Sequence, residues 1–275
     1  MPELPDLEVL KDNLTPRAVG RTVRGVEARF PSFMKTVAPS PTELVGKELT
    51  GIGRRGKYLI FKFSGGLQLV IHLMRWGWIW HESSSYAPTR STAFVLSLDD
   101  GTDVRVIEPG PQKLARAWVL PEGDPGPLAG LGLEPLSEEF TLAAFREVVA
   151  GKRRQLKKIL TDQKLIAGVG NAYADEILFV ARLSPIRYAH TLRDGEIERL
   201  WRAIPETLNW AIREIKKRIG DGLFEQEIRD FLWVHGRAEK PCRVCGTPIE
   251  EILLSGQRTD YCPACQGVNR PPPEG

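Results

Sequence analysis

Hydrophobic positions alternate with polar ones through the first 120 residues. Lys57–Phe63 (KYLIFKF) and Leu67–Leu73 (LQLVIHL) are apolar, β-branched and aromatic, and Ser64-Gly65-Gly66 separates them. That pattern predicts two strands joined as a hairpin. Phe94–Leu98 and Val104–Ile107 flank Asp99-Asp100-Gly101 and predict a second hairpin. Short strands with glycine-rich turns predict a β-sandwich. Trp76, Trp78 and Trp80 fall on one face of an alternating run; core packing accounts for them more simply than a base-stacking platform. Ahead of the strands, Leu7, Leu10 and Leu14 have helical spacing and predict a short helix over residues 5–14.

The period then changes. Residues 121–136 (PEGDPGPLAGLGLEPL) are rich in proline and glycine and predict a linker. Beyond it the spacing predicts helices over Phe140–Ala150, Lys152–Thr161, Asn171–Ala181, Asp194–Ile215 and Gln226–Phe231. The resulting fold class is α+β. A β-sandwich domain with a short N-terminal helix spans 1–120, a linker spans 121–136, and a helical domain spans 137–236. A cysteine module spans 237–268, and a proline-rich, disordered tail spans 269–275.

Composition changes this picture little. The hydrophobic fraction is 42% and no run approaches the ~18 apolar residues of a membrane span. The opening MPELPDLEV lacks the basic and apolar regions of a signal peptide, so cytoplasmic residence is expected, with no membrane partner. A net charge of +3 says little about partners. Its distribution says more: Lys152, Arg153, Arg154, Lys157 and Lys158 cluster within seven positions. A solvated helix face and a phosphate-binding patch explain that cluster equally well.

The four cysteines read Cys242-Arg-Val-Cys245 and, after sixteen intervening residues, Cys262-Pro-Ala-Cys265. Two short turns with two thiolates each supply the tetrahedral shell of a structural zinc ion. A pair of disulfides is the alternative, disfavoured in a chain without an export signal. His235 lies nearby in sequence but a full shell leaves it no place.

Two further features carry chemistry. Pro2 follows the initiator methionine, and removal of Met1 would leave a secondary amine. An α-amino group has a pKa of about 8, against about 10.4 for lysine, so a useful fraction is free near neutrality. Such an amine can attack a sugar C1′ and form a Schiff base, with Glu3 placed to move protons. By itself Met-Pro is an ordinary chain start. Second, Gly168 and Gly170 precede Asn171, a fitting N-cap, and Asp175 and Glu176 follow in the first turns of a helix. A helix start behind a glycine turn offers free N–H groups to a phosphate; a plain structural corner has the same pattern.

Together these segments resemble the formamidopyrimidine-DNA glycosylase and endonuclease VIII family, as a divergent member. Pro2-Glu3-Leu4-Pro5 is similar to its catalytic N-terminus and Arg55-Gly56-Lys57-Tyr58 to its hairpin lysine. Gly168–Leu178 is similar to its helix–two-turns–helix element. Cys242–Cys265 is similar to its zinc finger, with Gly256-Gln257-Arg258 and Tyr261 at the hairpin. The resemblance implies a bifunctional glycosylase/lyase acting on double-stranded DNA with a damaged base or abasic site. Pro2 would form the Schiff base, Glu3 would transfer protons, and Lys57 and Arg258 would assist at the flanking phosphates. Successive β- and δ-elimination would then cut the strand. The DNA-binding set it implies is Lys57, Lys152, Lys157, Gly170, Asn171 and Arg258; the metal set is Cys242, Cys245, Cys262 and Cys265, holding Zn²⁺ structurally. A monomer in the bacterial cytoplasm, associated with the nucleoid, is expected.

The chain departs from the family pattern in places. Position 6 is Asp6 where glutamate is usual. The place of the usual plug methionine, three residues after His72, holds Arg75, with Met74 before it. Glu108-Pro-Gly-Pro-Gln-Lys-Leu114 replaces the family's arginine- and phenylalanine-bearing loop, leaving Lys113, Leu114 or Arg116 as substitutes. The segment from Gly220 to His235 is short, which favours oxidised pyrimidines or formamidopyrimidines over 8-oxoguanine. Two other readings stand beside the enzyme: a non-catalytic binder of damaged DNA on the same scaffold, and a zinc-dependent protein-interaction module. Neither has a use for a terminal amine.

Overall fold

Helix α1 (Leu4–Ala18) begins the chain and is followed by eight strands. They are β1 (Val23–Ala28), β2 (Leu49–Arg55), β3 (Tyr58–Phe63), β4 (Leu67–His72), β5 (Trp78–Ser83), β6 (Thr92–Leu98), β7 (Thr102–Ile107) and β8 (Arg116–Pro121). This is a computed structural model, and it describes residues 1–223 and 226–267. The tail expected over 269–275 lies outside the described residues. Helices α2 (Leu142–Val149), α3 (Leu156–Leu160), α4 (Asn171–Val180) and α5 (Asp194–Ile219) follow, then strands β9 (Glu250–Leu254) and β10 (Gln257–Tyr261). The chain divides into two compact units, one of Met1–Ala129 with Ile215–Glu227, the other of Gly130–Glu214 with the chain from Ile228 onward. Among the described residues no helix is long and apolar enough to cross a membrane.

The first unit is built on two antiparallel four-stranded sheets, ordered β1-β6-β7-β5 and β2-β3-β4-β8. The alternation seen in the sequence sets which side chains go inward. Along β3, Leu59, Phe61 and Phe63 are buried while Lys62 faces water. Phe94, Leu96, Val104 and Val106 do the same in the other sheet, each such side chain stabilising by roughly 1.5–3 kcal/mol. Strands β1, β2 and β8 escape the sequence pattern. Gly25, Gly51 and Gly53 weaken the β signal, and register shifts at Val23/Gly25 and Leu49/Gly51 break the period. Of the three tryptophans, Trp78 and Trp80 lie in β5, with Trp78 buried; Trp76 precedes the strand and is exposed.

In this unit the last turn of α5 and the residues after it are bound to α1. Asn13 Nδ2 donates to the carbonyls of Gly220 (2.9 Å) and Gly222 (2.8 Å). Arg17 donates to the carbonyl of Asp221 at 2.8 Å, and Lys216 pairs with Asp12 at 2.6 Å.

The second unit is organised round α4, whose Tyr173, Ile177 and Leu178 are fully buried. Two sequence expectations need correction here. Residues 152–155 are not helical, because their backbone pairs with the 187–190 segment (Ala189 N to Arg154 O, His190 N to Lys152 O), leaving α3 only five residues long. Residues 226–231 form no helix either. The chain there is pinned irregularly: Phe231 packs on Trp210, and the amides of Trp233, Val234 and His235 donate to the Glu176 carboxylate at 2.8, 2.9 and 2.9 Å.

Candidate active site and nucleic-acid interface

The first unit presents its chemistry at the start of α1. Glu3 is the N-cap and Asp6 the third helical residue, and Asp6 Oδ2 accepts from the Glu3 amide at 2.8 Å, one half of a capping box. This is what the aspartate at position 6 does: its shorter arm suffices for the local bond. Pro2, Glu3 and Asp6 are all buried, with Glu3 4% exposed, so this end of the chain is held in place. Met1 stands ahead of them, and its ammonium pairs with Glu227 Oε1 at 2.5 Å.

Lys57 sits in the two-residue turn between β2 and β3. Gly56 has φ +57° and Lys57 does not share the positive φ, the pattern of a II′ hairpin turn. A turn lysine is ordinarily solvated, yet Lys57 is 6% exposed. Arg54 fixes the turn: its Nε donates to Glu8 of α1 at 2.6 Å and its Nη1 to the Gly56 carbonyl at 3.0 Å. Burial works against the charge on Glu8, but hydrogen bonds from Lys11 and Arg54 outweigh it and hold the carboxyl below its usual range. Residues of α1 and the lysine turn therefore form one rigid constellation. Sequence inspection missed Arg54 and Glu8; a buried arginine beside a turn has no local signature.

His72 faces Tyr58 across the β3–β4 ladder, with ring centroids 4.6 Å apart edge to face. Burial, and then the charges of Lys57 and Arg116, push it down to about 4. It is a neutral imidazole whose Nδ1 accepts from the Met74 amide at 2.9 Å, which puts its proton on Nε2. Met74 has φ +53° and is half-buried, whereas Arg75 is exposed. Trp76 lies over Gly110, where a Cβ would come within 2.6 Å of the indole, so only glycine fits. Within the 108–115 loop, Glu108 accepts from the amides of Leu114 (2.6 Å) and Ala115 (2.8 Å). Lys113 turns back on its own loop, bonding the carbonyls of Glu108 and Gly110 and lying over the Phe30 ring. Leu114 is half-buried and Arg116 exposed.

The second unit carries a different surface. The N-cap of α4 is Gly170, in extended conformation, so Asn171, expected as the cap, is the first helical residue and the helix starts one place earlier. Gln163 clasps the preceding turn, accepting from the Gly168 amide at 2.9 Å and donating to the Val169 carbonyl at 2.7 Å. Gly168 has φ +91°, a conformation that side chains disfavour. Asp175 and Glu176 are buried rather than solvated by the first turn; burial pushes Glu176 above the usual carboxylate range despite its three amide donors.

Lys157 is also displaced from its expected place. It is fully buried, and its ammonium bonds Asp175 Oδ1 (2.6 Å), Thr259 Oγ1 (2.8 Å) and the Arg258 carbonyl (3.0 Å). Those bonds tie it to α4 and to the strand bearing Arg258. Asn171 Nδ2 donates to the same Arg258 carbonyl at 3.0 Å. His235 Nδ1 lies 2.8 Å from Asp175 Oδ2, which places this histidine in the acidic cluster and away from the cysteines. Lys152 is half-buried, while Arg153, Arg154 and Lys158 are exposed.

Strands β9 and β10 form a hairpin whose turn, Ser255-Gly256, has φ +52° and +78°, as a I′ turn requires. Arg258 projects from it with 76% of its side chain exposed. Behind the hairpin the four cysteine sulfurs converge: Cys245–Cys262 and Cys245–Cys265 are 3.5 Å apart and Cys242–Cys265 is 4.0 Å apart. A tetrahedron with Zn–S bonds of about 2.3 Å has edges of about 3.8 Å, so the cluster fits zinc. The electrostatics agree. Bonds from Thr247 pull the Cys245 thiol down to about 6, whereas burial pushes Cys262 and Cys265 up. A divalent cation lets all four be thiolates together.

Comparison with known proteins matches three stretches of the chain. Residues 1–111 match the formamidopyrimidine-DNA glycosylase N-terminal domain, 131–221 its H2TH domain, and 239–268 the zinc finger found in FPG and IleRS. The formamidopyrimidine-DNA glycosylase of Symbiobacterium thermophilum is 39% identical over 288 residues, covering 100% of this chain and 91% of that protein. Among solved structures, the Lactococcus lactis FPG (MutM) bound to DNA containing FAPY-dG superposes with TM-score 0.87 at 29% identity, covering 96% of this chain and 99% of that one. The complex of the same organism's Fpg with DNA containing an abasic site gives 0.86 at 27% identity, with the same coverage.

Proposed function

The chain belongs to the formamidopyrimidine-DNA glycosylase family, a DNA glycosylase and AP lyase by that membership, and we propose that it excises oxidised bases with the amine of Pro2 as nucleophile. The observation that carries this reading is the burial of Pro2 and Glu3 at the start of α1, in one constellation with a buried turn lysine. Once Met1 is removed, the positive end of the α1 dipole disfavours an ammonium at Pro2 and so favours the free amine. The amine attacks C1′ of a flipped nucleotide, the base leaves, and the sugar opens to an iminium. Glu3 moves protons to the departing base and ring oxygen. Lys57 stabilises negative charge at the adjacent phosphate, and successive β- and δ-elimination cuts both sides of the sugar.

DNA with a damaged base or abasic site is the partner. Arg258 and Asn171, with the amides at the Gly170 end of α4 and Lys152, hold its phosphates, which fixes register without reading sequence. Zinc bound by Cys242, Cys245, Cys262 and Cys265 supplies a structural crosslink, its four thiolates leaving no open position for water. The enzyme acts as a monomer, in the cytoplasm and at the nucleoid. Oxidised pyrimidines or formamidopyrimidines are preferred over 8-oxoguanine, a reading supported by the short Gly220–His235 segment, whose start is bound to α1. An excision assay over a lesion panel tests the preference, and selective 8-oxoguanine release would overturn it.

The chemistry is tested by borohydride trapping on a duplex with an abasic site, comparing wild type, Pro2→Gly and a variant with one added N-terminal residue. A covalent adduct that disappears in the extended variant supports the terminal amine. Wild-type protein that is processed, binds the duplex and forms no adduct would favour the non-catalytic binder.

A further inference from the structure

Glu227 lies eight residues beyond α5, at the end of the first unit's second segment, and its carboxylate meets the beginning of the chain. Its Oε1 is sealed from solvent, although the side chain as a whole is 24% exposed, and that oxygen is paired with the Met1 ammonium at 2.5 Å. Removal of Met1 takes that cation away and leaves a half-buried carboxylate facing the new chain terminus. The chain upstream of Glu227 is held against the helix at that terminus, α1. Asn13 and Arg17 hold the carbonyls of Gly220, Asp221 and Gly222 against α1, and Lys216 holds Asp12. Loss of Met1 shifts the terminal amine by one residue, about 3.5 Å, a distance within the reach of a glutamate side chain. Pro2 itself is buried, so the new ammonium has little water to turn to.

From this geometry we infer that Glu227 is the carboxylate partner of the Pro2 amine, serving as its proton acceptor and as counter-charge to the iminium. The inference rests on the reading of Pro2 as nucleophile. In the step at an abasic aldehyde, Glu227 takes one proton from the Pro2 ammonium. The freed nitrogen lone pair forms the N–C1′ bond while the C1′–oxygen π pair moves to oxygen. The oxygen takes up the second nitrogen proton and the one that Glu227 returns, and leaves as water when the C1′–O bond breaks. Ammonium plus aldehyde thus gives iminium plus water, with a cation facing Glu227 at both ends of the step. This also divides labour between two carboxylates: Glu3 is the N-cap of α1, whereas Glu227 approaches from a separate segment.

Glu3 and Asp6 are buried at the start of α1, Glu227 pairs with the residue ahead of them, and Lys57 is buried in the β2–β3 turn that Arg54 ties to α1. The helix dipole and Lys57 lower the affinity of the amine for a proton, and Glu227 raises it. Glu227→Gln keeps the shape and removes the charge. Its expected effect is a fall of about tenfold in the rate of trapping at an abasic site, with the pH midpoint of that rate moved down by about one unit. Glu227→Asp should recover the midpoint and part of the rate. Duplex affinity and melting temperature, measured on the same proteins after mass spectrometry confirms loss of Met1, should be unchanged. A Glu227→Gln enzyme with the wild-type rate and midpoint overturns the inference. So does a slower enzyme with an unmoved midpoint, which would mark a merely structural role. The variant with an added N-terminal residue separates the two claims: if it still traps, the nucleophile is not Pro2 and the underlying reading falls first.

Discussion

The ammonium of Lys157 lies 3.0 Å from the backbone carbonyl of Arg258, and the side-chain amide of Asn171 meets the same oxygen at 3.0 Å. Arg258 is held from behind while its guanidinium faces outward. Replacing Lys157 by methionine leaves Asp175 buried with its cation gone. The expected loss of stability is about 3–5 kcal/mol in urea denaturation. DNA affinity should fall as the hairpin loosens, but the salt dependence of binding should keep its slope, since no phosphate contact has gone. A slope reduced by about 1 without loss of stability would instead make Lys157 a direct phosphate ligand.

Arg258→Ala should behave in the opposite way. The side chain is largely exposed and its nearest carboxylate, Glu251, is 3.8 Å away, so stability should change by less than about 0.5 kcal/mol. Binding to a duplex should weaken, with the slope of log K against log salt reduced by about 1. Titration at several salt concentrations checks both halves.

Removal of zinc should act on one unit. Cys242 and Cys262 are packed with Phe179, Val234 and Ile249, and partly buried Trp233 lies against them. Chelation or Cys262→Ser should therefore alter tryptophan fluorescence and abolish duplex binding. The β-sheet signal in circular dichroism should survive, since both four-stranded sheets belong to the other unit.

His72 sets a limit on acid stability. Its folded pKa of about 4 lies below the usual 6.5, so the unfolded chain binds the proton first as pH falls. Its contribution is complete above about pH 6.5 and is lost as pH drops through 4, a difference of roughly 3 kcal/mol at most. In His72→Gln that part of the slope should vanish. Denaturation midpoints between pH 4 and 7 for the two proteins give the comparison; parallel curves would mean His72 is not the group responsible.

Some of this architecture was legible in the residue pattern and some was not. The β3–β4 and β6–β7 hairpins carry strong alternation around their glycine turns, and α1, α4 and α5 carry helical spacing, so those elements stand out. The cysteine spacing implied the cluster that the sulfurs form. What stayed hidden depends on partners far away in sequence. Residues 152–155 look helical until their backbone is seen to pair with 187–190. Lys157 looks like one of five surface cations until Asp175 and Thr259 claim it. Residues 226–231 look helical until Glu176 is seen to hold the amides just beyond. Tertiary capture of backbone and charge overrides local preference in each case.

Chain ends usually fray, and little is lost when a few residues are added to them. Here the second residue is buried against the cap of α1. On the proposed chemistry, the difference between an inert amide and a reactive amine is a single peptide bond at Met1. Activity is then, on that chemistry, a property of maturation as much as of folding: a correctly folded molecule that keeps Met1 is expected to be silent. An affinity tag on that end is expected to have the same effect, and a trapping assay on tagged and untagged protein checks it.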